Sequence, residues 1–399
     1  MRRIPDFTRT TALVARALGL TPAQLISGFR PAGPADLDGV LALRQQEQGK
    51  QIWWDDAAFL QWRYHFGDPA QGRGEFWVVA TSEGILAGVG TEEVELGGAP
   101  GECRGQFLMD ILVRSDLRGS ALGPWMNMAL QERYACVMVF GSNRNSSSMV
   151  AQQFAQQRHL QTYSLHLRCK DLLDRRLGSR ALASLCAPVG DLALWGWRLA
   201  HRPRGLHGLR VSTVTHLDEL GQDFAGWSPV ENEVGRVRSR TFLEWRALSN
   251  PRSRLTVSVA WRGNRPIGYL VSQPVLARSG SHWLQLLDWN TAPDEHDGAY
   301  TALLADALRR AMAANCNAVR TSVLHARSER LLQKLGFVLR PNDSIPFVYS
   351  CKPTHPLLAL QSPQWHVTYL DGDVDQPCVP PVRTLRTARA SAGSLPEEA

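Results

Sequence analysis

The sequence predicts an α/β chain with a mixed sheet laid out twice, as two tandem domains joined by a helical linker. Three observations carry that reading. First, an apolar run from Phe107 to Val113 reads as a buried strand and Arg114 to Ser120 as a polar turn. Leu122 onward then reads as a helix with Leu122, Trp125, Met126, Ala129 and Leu130 on one face. Second, the order of elements returns. Phe59-Leu-Gln-Trp-Arg63 recurs as Phe242-Leu-Glu-Trp-Arg246, and a spacing of 178 residues (288 minus 110) carries Asp110 onto Asp288, Ala121 onto Ala299, Met126 onto Leu304 and Leu130 onto Leu308. Third, 399 residues with 44% hydrophobic content exceed one ordinary domain and can fill two cores.

The elements follow in order. Residues 1–27 form a helical prefix and 28–170 the first domain. Within it, Phe29 to Ala32 reads as a strand, Ala35 to Gln46 as a helix opened by Asp36, and a further helix capped by Asp55 or Asp56 carries Phe59, Leu60, Trp62 and Arg63. Glu75 to Thr81 and Ile85 to Leu96, separated by Ser82-Glu-Gly84, give a hairpin. Beyond the strand, turn and helix already described, Ala135 to Gly141 is a strand and Ser142 to Ser147 a turn, with a helix from Ser148 to Gln157. The second domain, 207–352, repeats the scheme and closes on Leu331-Leu-Gln-Lys-Leu-Gly-Phe337. The extension 353–399 is rich in Pro, Arg, Ala and Ser towards its end and is expected to be disordered from 371.

The linker, 171–206, belongs to neither repeat. Its apolar stretch, Ala181 to Ala200, is interrupted by Pro188, Gly190 and Asp191 and flanked by arginines at 175, 176, 180, 198, 202 and 204. It reads either as a helix packed across the two domains or as an interfacial helix on anionic lipid.

Composition excludes several classes. The net charge of +7 comes almost wholly from arginine, with lysine only at 50, 170, 334 and 352, and no aromatic-basic stacking motif is present, so nucleic acid is not an expected partner. Seven scattered cysteines, none in a Cys-x-x-Cys pair, speak for a reducing compartment and against a zinc ribbon. Thr8 to Leu20 is broken by Arg9 and Arg16, which leaves no signal peptide or spanning helix and makes the cytoplasm the expected location. The run Asp294-Glu-His-Asp297 does not converge on one ion, and no metal is expected.

The turn after Val113 has its own chemistry. Backbone amides of a small-residue turn and of a first helical turn point the same way, the helix dipole adds positive charge, and Arg118 adds a full one, a combination that suits a phosphate. Here the chain resembles the GNAT acyl-CoA N-acyltransferases, whose pyrophosphate loop follows a strand and reads Gln/Arg-x-x-Gly-x-Gly/Ala. Arg118 fills the first position and Gly123 the last, with Ala121 at the middle glycine. The resemblance implies that Arg118, Gly119, Ser120, Ala121, Leu122 and Gly123 hold the pyrophosphate of acetyl-CoA or another acyl-CoA. It also implies that backbone amides of Ile111, Leu112 and Val113 meet the thioester and pantetheine arm. Asn143, Asn145 and Ser147 can reach the pantetheine or adenosine end or simply cap a helix. In the second copy the loop becomes His296-Asp-Gly-Ala-Tyr-Thr301 beside an acidic run expected to repel a pyrophosphate, which places acyl-CoA in the first copy.

For the base that frees the amine, Asp110 comes first, a carboxylate whose pKa an apolar cleft would raise, with Glu93 and Glu95 behind it; Asp288 at the equivalent position favours a structural role instead. The resemblance implies a tyrosine acid for the CoA thiolate, but Phe154 stands there, and Tyr163 or water is the substitute. Trp53 and Trp54, with Trp62 and Tyr64, line a substrate cleft or cap the core. The Phe-Leu-x-Trp-Arg helix and the tandem layout also resemble GNAT proteins of bacterial surface-polysaccharide synthesis. That implies an amino sugar or similar amine acceptor, reached at the inner face of the membrane if the linker rests on lipid. Two other readings stay open: an aminoacyl-tRNA-dependent transferase of the tandem GNAT-like type, and a non-catalytic membrane-surface scaffold.

Overall fold

A computed structural model describes residues 6–48, 57–68, 73–98, 103–141, 153–220, 233–251, 255–276, 280–340, 343–360 and 363–372. The prefix forms helices α1 (Phe7–Ala17), opened by the Asp6 carboxylate on Arg9 N–H, and α2 (Pro22–Gly28), opened by a Thr21/Gln24 capping box. The first copy then runs β1 (Phe29–Pro31), α3 (Leu37–Gln48), α4 (Ala57–Arg63), β2 (Gly74–Thr81), β3 (Gly84–Gly97), β4 (Arg104–Val113), α5 (Leu122–Arg133), β5 (Cys136–Phe140) and β6 (Gln156–His166). Helices α6 (Lys170–Leu177) and α7 (Arg180–Ala200) follow. The second copy holds β7 (Leu209–Val214), β8 (Glu233–Arg236), α8 (Arg240–Leu243) with a π turn to Leu248, β9 (Thr256–Arg262), β10 (Arg265–Leu276), β11 (His282–Thr291), α9 (His296–Ala313), β12 (Ala318–Val323), α10 (Ala326–Lys334), β13 (Val338–Leu339) and β14 (Ile345–Cys351), and β15 (Gln364–His366) comes last.

The expected strands are present, and their order in space explains one departure. The main sheet runs β1-β2-β3-β4-β5-β14-β6-β12-β11-β10-β9-β7. The final strands of the copies are therefore exchanged. β14 pairs with β5 of the first copy, Val348 opposite Val139, while β6 pairs with β12 of the second, Val319 opposite Leu165. The helix expected as far as Gln157 gives way to strand at Gln156, because Gln156 and Gln157 are drawn into a ladder with Tyr349 and Val348 of β14. Residues 148–152 of that expected helix lie outside the described residues.

The recurring Phe-Leu-x-Trp-Arg segments meet at the centre. Trp62 Nε1 donates to Trp245 O (3.2 Å), Trp245 Nε1 donates to Trp62 O (3.0 Å), and the rings lie 5.4 Å apart. Arg63 and Arg246, both with no exposed surface, donate to one acceptor, Gly372 O, at 3.3 and 2.6 Å. Residues expected to begin a disordered tail are thus the hub of the interface. Asp371 is buried and takes a 2.6 Å hydrogen bond from Arg238 Nη2, and Thr368 Oγ1 donates to Asp288 (2.7 Å). A sequence rich in polar and small residues hid this because its partners are buried arginines rather than an apolar core.

The linker helix is not broken by Pro188. α7 is continuous, and Gly190 lets it approach Cys169, whose side chain a Cβ there would meet, while Asp191 accepts from Cys169 N–H (2.7 Å).

The interlock has a measurable consequence. Trp245→Ala is expected to lower unfolding stability in denaturant by about 3–5 kcal/mol. Adding Trp62→Ala should cost less than that change costs alone, since each ring is the other's neighbour. Fully additive losses would show that the two rings do not act as one unit.

Candidate functional site

The site begins with a fault in a ladder. Gly88 pairs with Leu112 and Gly90 with Met109, so β4 carries one residue more than β3 between these pairs, and Asp110 takes up the excess with φ 51°. A non-glycine residue in that conformation needs holding. The Tyr64 hydroxyl donates to Asp110 Oδ2 (2.7 Å) and Arg44 lies 3.3 Å from the same oxygen. Gly90 is required here because a Cβ would collide with the Tyr64 hydroxyl.

Past the bulge the two parallel strands part. β4 pairs with β5 only from Gln106 to Leu108. The edge from Met109 to Val113, which includes Ile111, Leu112 and Val113, has no partner strand on that side among the described residues. The chain then makes a tight turn, Ser115–Leu117, and reaches α5 through Gly119 (φ 100°) and Ala121 (φ 63°). Ala121 is the N-cap and offers no side-chain acceptor, so the first turn of α5 is left uncapped apart from a 3.3 Å contact of Leu122 N–H with Ser120 Oγ. Gly123 packs over the strand end, 3.5 Å from Val113 Cγ2 for an added Cβ. Between the open edge and the helix start the amides are largely taken: Arg114 N–H donates to Leu86 O, Leu117 N–H to Arg114 O, Arg118 N–H to Ser115 O and Ser120 N–H to Leu117 O.

Glu47 enters this turn from α3. Its buried carboxylate accepts from Ser115 N–H (2.7 Å) and from Arg118 Nη2 (2.6 Å). Nothing along the chain signals it, since 71 residues separate it from Arg118. It occupies donors that a phosphate would use.

The other expected residues fall into three groups. The expected rise of the Asp110 pKa is not found. Burial alone would raise it, but Arg44, the Tyr64 hydroxyl and Arg63 hold the carboxyl below the usual range, so it is an ion pinned in place. Glu93 faces solvent and pairs with exposed Arg104 at 3.1 Å. Its neighbour Glu92 is the buried carboxylate, bonded to Arg236 and 3.3 Å from Arg63. The sequence reading passed over Glu92, although alternation along β3 puts it in phase with buried Val94 and Leu96. Burial would raise Glu92 too, yet Arg236, Arg63 and Arg246 hold it low.

Tyr163 is not near the loop. Strand exchange carries it into the core of the second copy, where Gln333 Nε2 donates to its hydroxyl (3.2 Å) and the hydroxyl approaches Glu329 (3.4 Å). Phe154 packs against α5 with Leu122 and Trp125. Asn143, Asn145, Ser147, Trp53 and Trp54 lie outside the described residues.

The second copy has the same opening with different contents. β11 pairs with β12 only from Trp283 to Gln285. Its acidic run is largely neutralised: Glu295 binds Arg262 (2.6 Å), Asp297 binds Arg327 (2.7 Å) and Asp294 lies 3.9 Å from Arg265. His296 turns inward, its Nδ1 2.7 Å from Thr291 Oγ1. It stacks in a row with Tyr300 and Trp289, and His325 and His366 close the ends. Trp289 Nε1, Tyr300 Oη and His296 Nε2 are buried there without a hydrogen-bond partner among the described residues. His325 Nε2 is 2.6 Å from Glu233 Oε1. This is a packed polar and aromatic cluster, and no phosphate cradle.

No protein-family model matches the sequence, and no curated protein matches it. Solved structures do share its fold. An Enterococcus faecalis protein of unknown function, described as a probable N-acyltransferase, aligns with TM-score 0.54 and 9% identity over 80% of this chain and 70% of its own. Saccharomyces cerevisiae N-myristoyltransferase, solved with myristoyl-CoA and inhibitors, aligns with TM-score 0.51 and 15% identity over 82% of this chain and 81% of its own. At these identities the shared property is the fold.

Two imidazoles, buried His296 and half-buried His366, set an acid limit on the cluster. Burial, aided by Arg327 and His325, lowers the pKa of His296 to about 4, and burial, aided by Arg238 and His325, lowers that of His366 to about 3. Both start from 6.5, so the unfolded chain takes up protons below that pH that the folded chain refuses, and stability falls as pH drops from 6.5 towards 4. The thermal midpoint is expected to fall between about pH 7.5 and 5. It should fall by less in His366→Asn, and an equal fall in both proteins would contradict the assignment.

Proposed function

We propose that the protein is an acyl-CoA-dependent N-acyltransferase that binds its donor in the first copy. One observation carries this reading: the free edge of β4 beyond Leu108 is followed, across one tight turn that ends at Arg118, by the uncapped start of α5. Amides of Ile111 to Val113 would polarise the thioester carbonyl, and the turn and Arg118 would bind the pyrophosphate. The amine nitrogen attacks the thioester carbon, the C–S bond breaks, and the proton lost by the amine reaches the CoA thiolate through solvent. Asp110 fixes the bulge that opens the edge; it positions the reaction rather than taking the proton. The donor is acetyl-CoA or a longer acyl-CoA, and the acceptor a primary amine of the amino-sugar class. The aromatic cluster of the second copy, with three buried polar atoms unpaired among the described residues, would supply that acceptor's hydrogen bonds.

Arg118→Ala should weaken acetyl-CoA binding by about 1.5–3 kcal/mol in calorimetry, and His296→Ala should leave it unchanged. Glu47→Gln keeps an acceptor for Ser115 N–H but releases Arg118, so it should tighten binding. Equal losses from Arg118→Ala and His296→Ala would sink the donor site. The Glu47–Arg118 pair also favours a second reading, a scaffold whose loop stays closed, and failure of Glu47→Gln to bind any CoA would establish that instead.

The acceptor is presented at a membrane surface. Among the described residues no helix is long and apolar enough to cross a bilayer. α7, however, exposes a row of large apolar side chains, Leu182, Leu185, Val189, Leu192, Trp195 and Leu199, with Leu185 76% and Val189 74% accessible. They lie opposite Ala183 and Ala187, which face the body. Exposed Arg176, Arg180, Arg202 and Arg204 flank the helix, while Arg198 turns inward to donate to Leu167 O (2.9 Å). An apolar row between cations fits an anionic bilayer, where each arginine contributes on the order of 1 kcal/mol. Flotation with phosphatidylserine-containing vesicles should show binding that is lost in a Leu185→Gln/Val189→Gln protein. It should weaken with salt and in Arg202→Gln/Arg204→Gln. No binding at low salt would leave α7 without a lipid role.

A further inference from the structure

A second set of side chains takes no part in acyl transfer. Cys136 on β5 and Cys351 on β14 are directly opposite across the antiparallel ladder, their Sγ atoms 2.8 Å apart, and both are free thiols. A nitrogen of His355 lies within 4.8 Å of both sulfurs. Cys103, immediately before β4, puts its Sγ 3.9 Å from His355 Nε2. Cys103, Cys136 and His355 are buried and Cys351 is half-buried. Scattered in sequence, these residues converge only because β14 is exchanged into the sheet of the first copy.

We propose that Cys103, Cys136, Cys351 and His355 form a structural metal site of the Cys3His kind that takes zinc. Three soft thiolate donors and one imidazole are the donor set that tetrahedral zinc prefers, and the set closes on itself with no carboxylate or open position for a substrate. Zinc bonds of about 2.3 Å to sulfur and 2.0 Å to nitrogen put the ligand atoms roughly 3.5–3.8 Å from one another. Cys136, Cys351 and His355 hold their donor atoms within 4.8 Å of one another, and side-chain rotations that widen the Cys136–Cys351 gap and bring Cys103 from the Nε2 side of the ring towards Nδ1 complete the set. The imidazole is already oriented. Nε2–H donates to Arg104 O (2.9 Å), the kind of backbone contact a metal-bound histidine makes with its second nitrogen. Nδ1 holds only a 3.4 Å contact from Leu357 N–H, which ligation replaces. On binding, each thiol releases its proton to solvent and no electron is transferred.

The site would pin the exchanged strand to its host. Cys103 and Cys136 belong to the first copy, Cys351 ends β14, and His355 opens the segment that leads to β15 and the central hub. This inference is independent of the acyl-transfer reading.

The test uses full-length protein purified without chelator. Elemental analysis should find roughly one zinc per chain, as a closed four-ligand site requires. Cys136→Ser, Cys103→Ser and His355→Ala should lose it, and Cys186→Ser, at an exposed cysteine outside the cluster, should keep it. Cobalt exchanged into the unaltered protein should give the intense visible bands of tetrahedral thiolate coordination, a readout that does not depend on a variant folding. Substoichiometric zinc after incubation with a zinc salt would overturn the site. So would a pale octahedral cobalt spectrum, metal content indifferent to Cys136→Ser and Cys103→Ser, or a protein mass two hydrogens short, which would mark a Cys136–Cys351 disulfide.

Discussion

The structure depends on burying two arginines against one carbonyl. Arg63 and Arg246 come from equivalent helices of the two copies and both reach Gly372 O, with Trp62 and Trp245 crossing over them. A guanidinium out of water must fill its donors, and this one constraint draws in the rest of the centre. Glu92 answers Arg236 and Arg63, and Asp288 and Asp371 answer Arg238. Networks of this kind contribute little more stability than apolar packing would, but removing one member costs several kcal/mol. They set how the copies meet rather than how tightly.

Strand exchange makes the halves inseparable. With β14 between β5 and β6, the ladder passes between the copies three times, and no cut between 170 and 207 would release two complete sheets. The segment 363–372 reinforces this by lying where both copies supply its partners: β15 pairs with β8, and Thr368 and Asp371 enter the arginine network.

Within that shared frame the copies have separated chemically. Each keeps two parallel strands that part beyond a three-residue ladder. In the first copy the opening leads to small residues in left-handed conformations and an uncapped helix. In the second the helix start is filled by His296 and Tyr300, side chains too large to leave room for a phosphate. Asp110 and Asp288 show what was retained. Each accepts from a buried tyrosine at 2.7 Å and lies beside an arginine, although Tyr64 and Tyr269 come from different elements. The same carboxylate is needed in both copies, which is the pattern of a structural ion.

The sequence by itself determined the elements and their repetition. Strand and helix periods and the recurring Phe-Leu-x-Trp-Arg segment depend on neighbours within a few residues, and local patterns record local forces. The loop from Arg118 to Gly123 was legible for the same reason, since its conformation belongs to its own glycine and small residues. Tertiary structure alone decided which strand completes which sheet, and with it the fate of Tyr163, which left the loop for the other core. It also decided that Glu47 meets Arg118, that Asp371 ends buried, and that Cys103, Cys136, Cys351 and His355 share one place. Each of these rests on partners tens to hundreds of residues apart, and electrostatic pairing, unlike hydrophobic alternation, leaves no period along the chain to read.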